Sequence, residues 1–134
     1  MKKIKPLIMI VEDERNIREM YTEKFGGAGF EVKAFEDAAR AKNFILRSKR
    51  DPECVVLDII MPGLDGFTFL KELEKMNKKI PVLILSNLDN NFRVFGVKGT
   101  LPKGADAYLL KAQVTPSEVV ARVKKLIERG GKRK

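Results

Sequence analysis

The chain has 134 residues, 44% of them hydrophobic and 34% charged, which suits one domain able to bury roughly two thirds of its unfolded surface without a metal or disulfide staple. Apolar residues spread along the whole length exclude intrinsic disorder. The net charge of +9, the absence of histidine and the single cysteine exclude serine–histidine and cysteine–histidine catalysis, histidine-ligated zinc and any internal disulfide.

In chain order, Leu7–Val11 is a continuous apolar run and predicts a strand. A helix follows with Ile17, Met20, Tyr21, Phe25 and Ala28 on one face, ended by Gly26, Gly27 and Gly29. Glu31–Phe35 alternates as a short strand, and Asp37 caps a helix that shares Ala38, Ala41, Phe44 and Ile45 on one side. Val55–Leu57 is the third strand. Asp65 caps a helix that turns Phe67, Leu70 and Leu73 inward. Val82–Leu85 is the fourth strand and Ala107–Leu110 the fifth, with a poorly defined stretch between them. The last helix has Thr115 as N-cap, Pro116 at its first position and Glu118 completing a capping box. Val119, Val120, Val123, Leu126 and Ile127 form its buried stripe, and Gly130 is expected to stop it.

This βα alternation predicts a doubly wound α/β fold. Five parallel strands are sandwiched by helices, and right-handed crossovers favour the order 2-1-3-4-5. The first, third and fourth strands are nearly all apolar, as strands buried on both faces should be. The longest clean apolar run, Ile80–Leu85, is far short of the ~20 residues of a membrane span. Lys5, Pro6 and Glu12 spoil a secretory signal. Cys54 reads as a buried, inert thiol in a reducing compartment, so a cytoplasmic location is expected. One domain is expected over residues 1–134, with a core at about 5–129 and basic tails at 1–5 and 130–134. Lys2, Lys3 and Lys5 at one end carry the excess charge together with Arg122, Lys124, Lys125, Arg129, Lys132, Arg133 and Lys134 at the other, where Glu128 opposes them. The body between is neutral.

Ligands of such sheets bind at the carboxyl ends of the strands. Strand one ends in Glu12-Asp13-Glu14, strand three in Asp58, strand four in Ser86 and strand five in Lys111. Converging carboxylates need a cation between them, and hard oxygen ligands with a partly open shell suit Mg²⁺. A lysine and a hydroxyl on the same rim suit phosphoryl oxygens, and an aspartate beside them is equipped to attack phosphorus. Each residue alone has a plainer reading: acids that open a helix, a loop serine, a surface lysine. Four strand ends supplying fitting groups together outweigh those readings.

The stretches Ile8–Glu14, Val55–Gly66, Leu83–Ser86 and Gly104–Lys111 closely resemble receiver domains of bacterial two-component response regulators, across nearly the whole chain. The resemblance implies a flavodoxin-like (βα)5 receiver fold and a Mg²⁺-dependent phosphoacceptor switch. It implies that Asp58 takes a phosphoryl group from a phosphohistidine on a sensor histidine kinase or histidine phosphotransfer protein, and that the domain slowly dephosphorylates itself and signals to a downstream protein target. Asp13 matches the direct Mg²⁺ ligand, Glu12 its companion acting through water, and the backbone carbonyl of Ile60 a third protein ligand. Lys111 matches the lysine that pairs with the acceptor and then with the phosphoryl oxygens. Ser86 matches the hydroxyl that turns toward the phosphoryl group, and Tyr108 the aromatic that swings inward as it does. Ala112 stands where the family usually has proline, so either trans geometry or a strained cis bond is expected after Lys111. Asn87 replaces a small residue. Between Asn90 and Lys103, Gly96, Gly99 and Pro102 predict a short or broken helix, since a mid-helix glycine costs ~1 kcal/mol and a proline ~3.

Three other functions compete. An aspartyl-phosphate phosphatase or phosphotransferase would commonly carry a second acid where this chain has Ile60. A flavodoxin-like carrier would need a hydroxyl- and glycine-rich loop in place of Glu12-Asp13-Glu14. A DNA- or anionic-surface-binding module would work through the basic termini.

Overall fold

The computed structural model describes residues 4–59, 65–87 and 101–132. Ile60 and most of the stretch expected as a broken helix lie outside them. Within the described residues the order is β1 (Leu7–Val11), α1 (Arg15–Gly27), β2 (Glu31–Phe35), α2 (Ala38–Arg47), β3 (Cys54–Leu57), α3 (Asp65–Lys75), β4 (Val82–Ser86), β5 (Ala107–Leu110), a 3-10 turn (Lys111–Gln113) and α4 (Pro116–Lys132). The five strands are all parallel and ordered β2-β1-β3-β4-β5, as the alternation predicts.

Strand side chains alternate between faces, so one sheet builds two cores. Met9 and Val11 of β1 join Val55 and Leu57 of β3 and Val82 and Ile84 of β4 beneath α2 and α3. Ile8 and Ile10 join Val56, Leu83 and Leu85 beneath α1 and α4. The central strands β1, β3 and β4 are buried at every position, whereas β2 at the edge is not. Asp37 accepts the Arg40 backbone N–H at 2.8 Å and caps α2. At α4, Thr115 Oγ1 accepts the Glu118 N–H at 3.2 Å while Glu118 accepts the Thr115 N–H at 2.9 Å, the reciprocal pair that the sequence signals. At the amino edge, the Asp106 carboxylate accepts the Val82 N–H at 2.9 Å and the Asp106 N–H donates to the Val82 carbonyl at 2.8 Å, joining the starts of β4 and β5.

Several expectations are corrected. Met20 is 39% exposed, because the inward row of α1 is Ile17, Tyr21 and Phe25 and Met20 falls at its margin. In α3 the fully buried aromatic is Phe69, while Phe67 packs half-buried at the edge of the core. Gly130 does not stop α4, which runs on to Lys132. The third strand begins at Cys54, one residue early. Cys54 is fully buried, and burial, with the Asp106 charge nearby, pushes its thiol up to about 12, consistent with an inert core thiol.

Candidate functional site

The rim at the carboxyl ends of β1 and β3 is an extension of the sheet's own hydrogen bonding. The Glu12 N–H donates to the Phe35 carbonyl at the end of β2, and the Asp58 N–H to the Val11 carbonyl at the end of β1, each at 3.0 Å. Glu12 and Asp58 are thus held by strand geometry although both lie one residue beyond their strands, and both side chains are buried. Asp13, next along, is exposed. One carboxylate oxygen from each of Glu12, Asp13 and Asp58 lies within 4.8 Å of the others. Like charges at that spacing repel unless a cation lies among them.

Lys111 supplies one positive charge. Leaving β5 it enters the 3-10 turn, and its Nζ reaches Glu12 Oε1 at 2.6 Å and Asp58 Oδ2 at 3.1 Å. The peptide bond between Lys111 and Ala112 is trans, so the alanine in place of proline does not deflect the lysine from the rim. Burial opposes the Lys111 charge, but Glu12 and Asp58 together more than offset it and its pKa is raised. Glu12 is pushed up to about 7, first by burial, with the Asp58 charge adding to it. Lys111 and the Glu14 backbone N–H, which donates to Glu12 Oε2 at 3.0 Å, pull the other way without cancelling it.

Ser86 is the last residue of β4 and has no exposed surface; its register partner is Leu110, immediately before Lys111. Tyr108 pairs with Ile84 and packs half-buried against the core beneath α2 and α3. By the two-residue period of strands, Ser86 projects from the same face as Ile84 and Tyr108. The sequence-predicted residues Glu12, Asp13, Asp58, Ser86 and Lys111 therefore meet on one rim, with Tyr108 on the adjoining strand face. Ile60 is the candidate left outside the described residues.

Two further contributors receive no role from the sequence: Gly66, which closes the Val55–Gly66 stretch, and Arg18. Gly66, in the first turn of α3, lies so close to the acceptor strand that a Cβ there would stand 2.5 Å from the Ile59 Cα and 2.7 Å from the Asp58 carbonyl oxygen. Arg18 of α1 donates through Nη1 to the Glu12 carbonyl at 2.9 Å and the Asp13 carbonyl at 3.3 Å.

A model of the response regulator receiver domain matches residues 8–124. The chain is 37% identical over 129 residues to the transcriptional regulatory protein PrrA of Mycobacterium tuberculosis, an alignment covering 94% of this chain and 52% of the relative. The chain thus spans about half the length of that curated protein. Among solved structures, the receiver domain of a Francisella response regulator superposes with a TM-score of 0.78 at 32% identity, over 93% of this chain and 98% of that one. The response regulator TrrA of Thermotoga maritima, in complex with Mg²⁺ and BeF, gives 0.75 at 28% identity, over 90% and 98%. Among the described residues, no helix is long and apolar enough to cross a membrane.

Proposed function

The chain belongs to the family of response regulator receiver domains, the modules of two-component signalling, and on that premise we propose that it is a Mg²⁺-dependent switch that accepts a phosphoryl group on Asp58. The donor is a phosphohistidine on a sensor histidine kinase or a histidine phosphotransfer protein. An Asp58 carboxylate oxygen forms the new bond to phosphorus as the phosphorus–nitrogen bond of the donor breaks, and the electron pair of that bond leaves with the imidazole. The observation that carries this reading is the Lys111 Nζ set between Glu12 and Asp58. Its charge holds the acceptor at rest and is in place for the phosphoryl oxygens once Asp58 carries the acyl phosphate.

The donor set fits Mg²⁺. Three hard carboxylates converge, and with Lys111 their formal charges leave two negatives, matching a divalent ion. Asp13 and Asp58 would hold it directly, Glu12 through water, and the Ile60 carbonyl would complete the protein ligands. Bound there, Mg²⁺ supplies charge neutralisation for phosphoryl oxygens. The added group carries roughly two negative charges. Ser86 turns toward them, and Tyr108 moves into the space so released. Slow hydrolysis of the acyl phosphate resets the switch. The downstream partner is a protein target that distinguishes the two states.

Incubation with acetyl phosphate and Mg²⁺ is expected to add one acid-stable, base-labile phosphoryl group, read by intact mass. Chelation should suppress it and Asp58→Asn abolish it. Equal labelling of wild type and Asp58→Asn would overturn the assignment.

A further inference from the structure

Glu12 has little freedom left. Its N–H is taken by Phe35, and its two carboxylate oxygens by Lys111 and the Glu14 N–H. Its carbonyl, together with that of Asp13, is taken by a single nitrogen of Arg18. Arg18 is half-buried on α1 and one turn past Glu14, whose carbonyl accepts its backbone N–H at 2.9 Å. A cation near the positive end of a helix dipole is ordinarily unfavourable. α1 has no acid in its first turn to offset it, and its N-cap Glu14 makes no side-chain cap bond. The acids that offset it lie just outside the helix, in the Glu12-Asp13-Glu14 turn whose carbonyls Arg18 bonds.

The guanidinium bonds carbonyls, not carboxylates. A carboxylate bonded by arginine would lose oxygens that a metal needs; carbonyls bonded by arginine fix the turn and leave those oxygens available. Asp13 is exposed and owes its direction to this turn. Lys111 grips the turn from the β5 side and Arg18 from the α1 side.

We infer that Arg18 is a positioning residue for the cation: its bonds to the Glu12 and Asp13 carbonyls hold the acidic turn in the shape that binds the divalent ion. This deepens the proposed function and rests on that site being the cation site. Two effects of Arg18 oppose each other. Its charge repels a nearby cation, and its hydrogen bonds preorganise the ligands. Preorganisation dominates, because the donating guanidinium nitrogen is spent on the backbone that carries the ligands.

The test titrates Mg²⁺ into unphosphorylated protein, following the backbone amide signals of residues 12–15 in wild type, Arg18→Met and Arg18→Lys. Arg18→Met should weaken Mg²⁺ binding about tenfold, the usual scale for losing an outer partner of a metal ligand. Arg18→Lys keeps the charge but not the reach and rigid placement of the donating nitrogen, so it should weaken binding in the same direction. Thermal unfolding in chelator checks that each variant is folded before titration. Tighter Mg²⁺ binding in Arg18→Met, with Arg18→Lys unchanged, would show that only charge matters and overturn the inference, as would unchanged affinity in both. The readout needs no phosphoryl transfer. Weakened Mg²⁺ binding in a protein that never labels at Asp58 would therefore sink the proposed function and leave this inference standing. Normal labelling of wild type with undisturbed Mg²⁺ affinity in both variants would do the reverse.

Discussion

Glu12 pushed up to about 7 from an ordinary 4.5 is a buried acid short of compensation. Its protonated form is favoured in the folded chain, so the stability linked to it is fully present below about 4.5 and is lost as pH rises through about 7. Other carboxylates titrate in the same range, so the readout is a difference. In chelator, the urea-unfolding free energy of wild type relative to Glu12→Gln should fall between pH 5 and pH 7.5. Saturating Mg²⁺ should flatten that fall, because the cation favours the carboxylate form. A flat difference without metal would mean that Lys111 alone satisfies Glu12. Lys111 and the acids were readable from the sequence because each ends a strand in a fold whose ligands gather at strand ends. Arg18 was not. It is one basic residue among many on a charged helix, and its partners are backbone carbonyls, to which residue identity gives no clue.

At the scale of elements, the strands and the two strongly amphipathic helices α2 and α4 follow from periodicity and capping alone. Errors arose where the pattern allowed more than one phase. Phe67-Thr68-Phe69-Leu70 presents two aromatics two residues apart, and only the packing of Gly66, Phe69, Leu70 and Leu73 at helical spacing selects Phe69 for the interior. Glycine likewise reads as a stop until its neighbours are known. Among the described residues, a Cβ on Gly130 would meet only the Pro81 Cγ, at an ordinary 3.5 Å, and α4 runs past it to Lys132. The two glycines should therefore respond oppositely to alanine. Gly66→Ala forces a methyl group into backbone that cannot give way, and should cost about 1–3 kcal/mol in urea unfolding while slowing labelling of Asp58. Gly130→Ala lowers the entropy of the unfolded chain without a clash and should stabilise by about 0.4–1 kcal/mol in the same assay. A stabilising Gly66→Ala would mean that α3 can draw back from the acceptor strand.

Across the whole molecule, parallel strands put every strand start on one side and the acidic rim on the other. At the amino edge, Lys78, Lys79 and Lys103 line a half-open groove of about 490 Å³ together with Glu74 and Asp106, and Gly130 of α4 forms part of its wall. The described ends of the chain reach the same edge, since β1 starts just after Lys5 and α4 runs to Lys132. The span of a five-residue strand such as β1, about 17 Å, separates this edge from Asp58, twice the Debye length of about 8 Å at physiological salt. Replacing Lys132, Arg133 and Lys134 together by glutamine should leave the rate of Asp58 labelling unchanged at physiological salt while lowering any DNA retention at low salt. A severalfold change in labelling would mean that these charges reach the rim. By the same spacing, the charge balance of the rim is set by its own residues and by what enters it. With Lys111 already seated as an internal counter-ion, a monovalent ion would leave the carboxylates half-balanced and a trivalent ion would overshoot. Charge balance thus selects the class of ion, while size and the preference for oxygen ligands rank the divalent ions within that class.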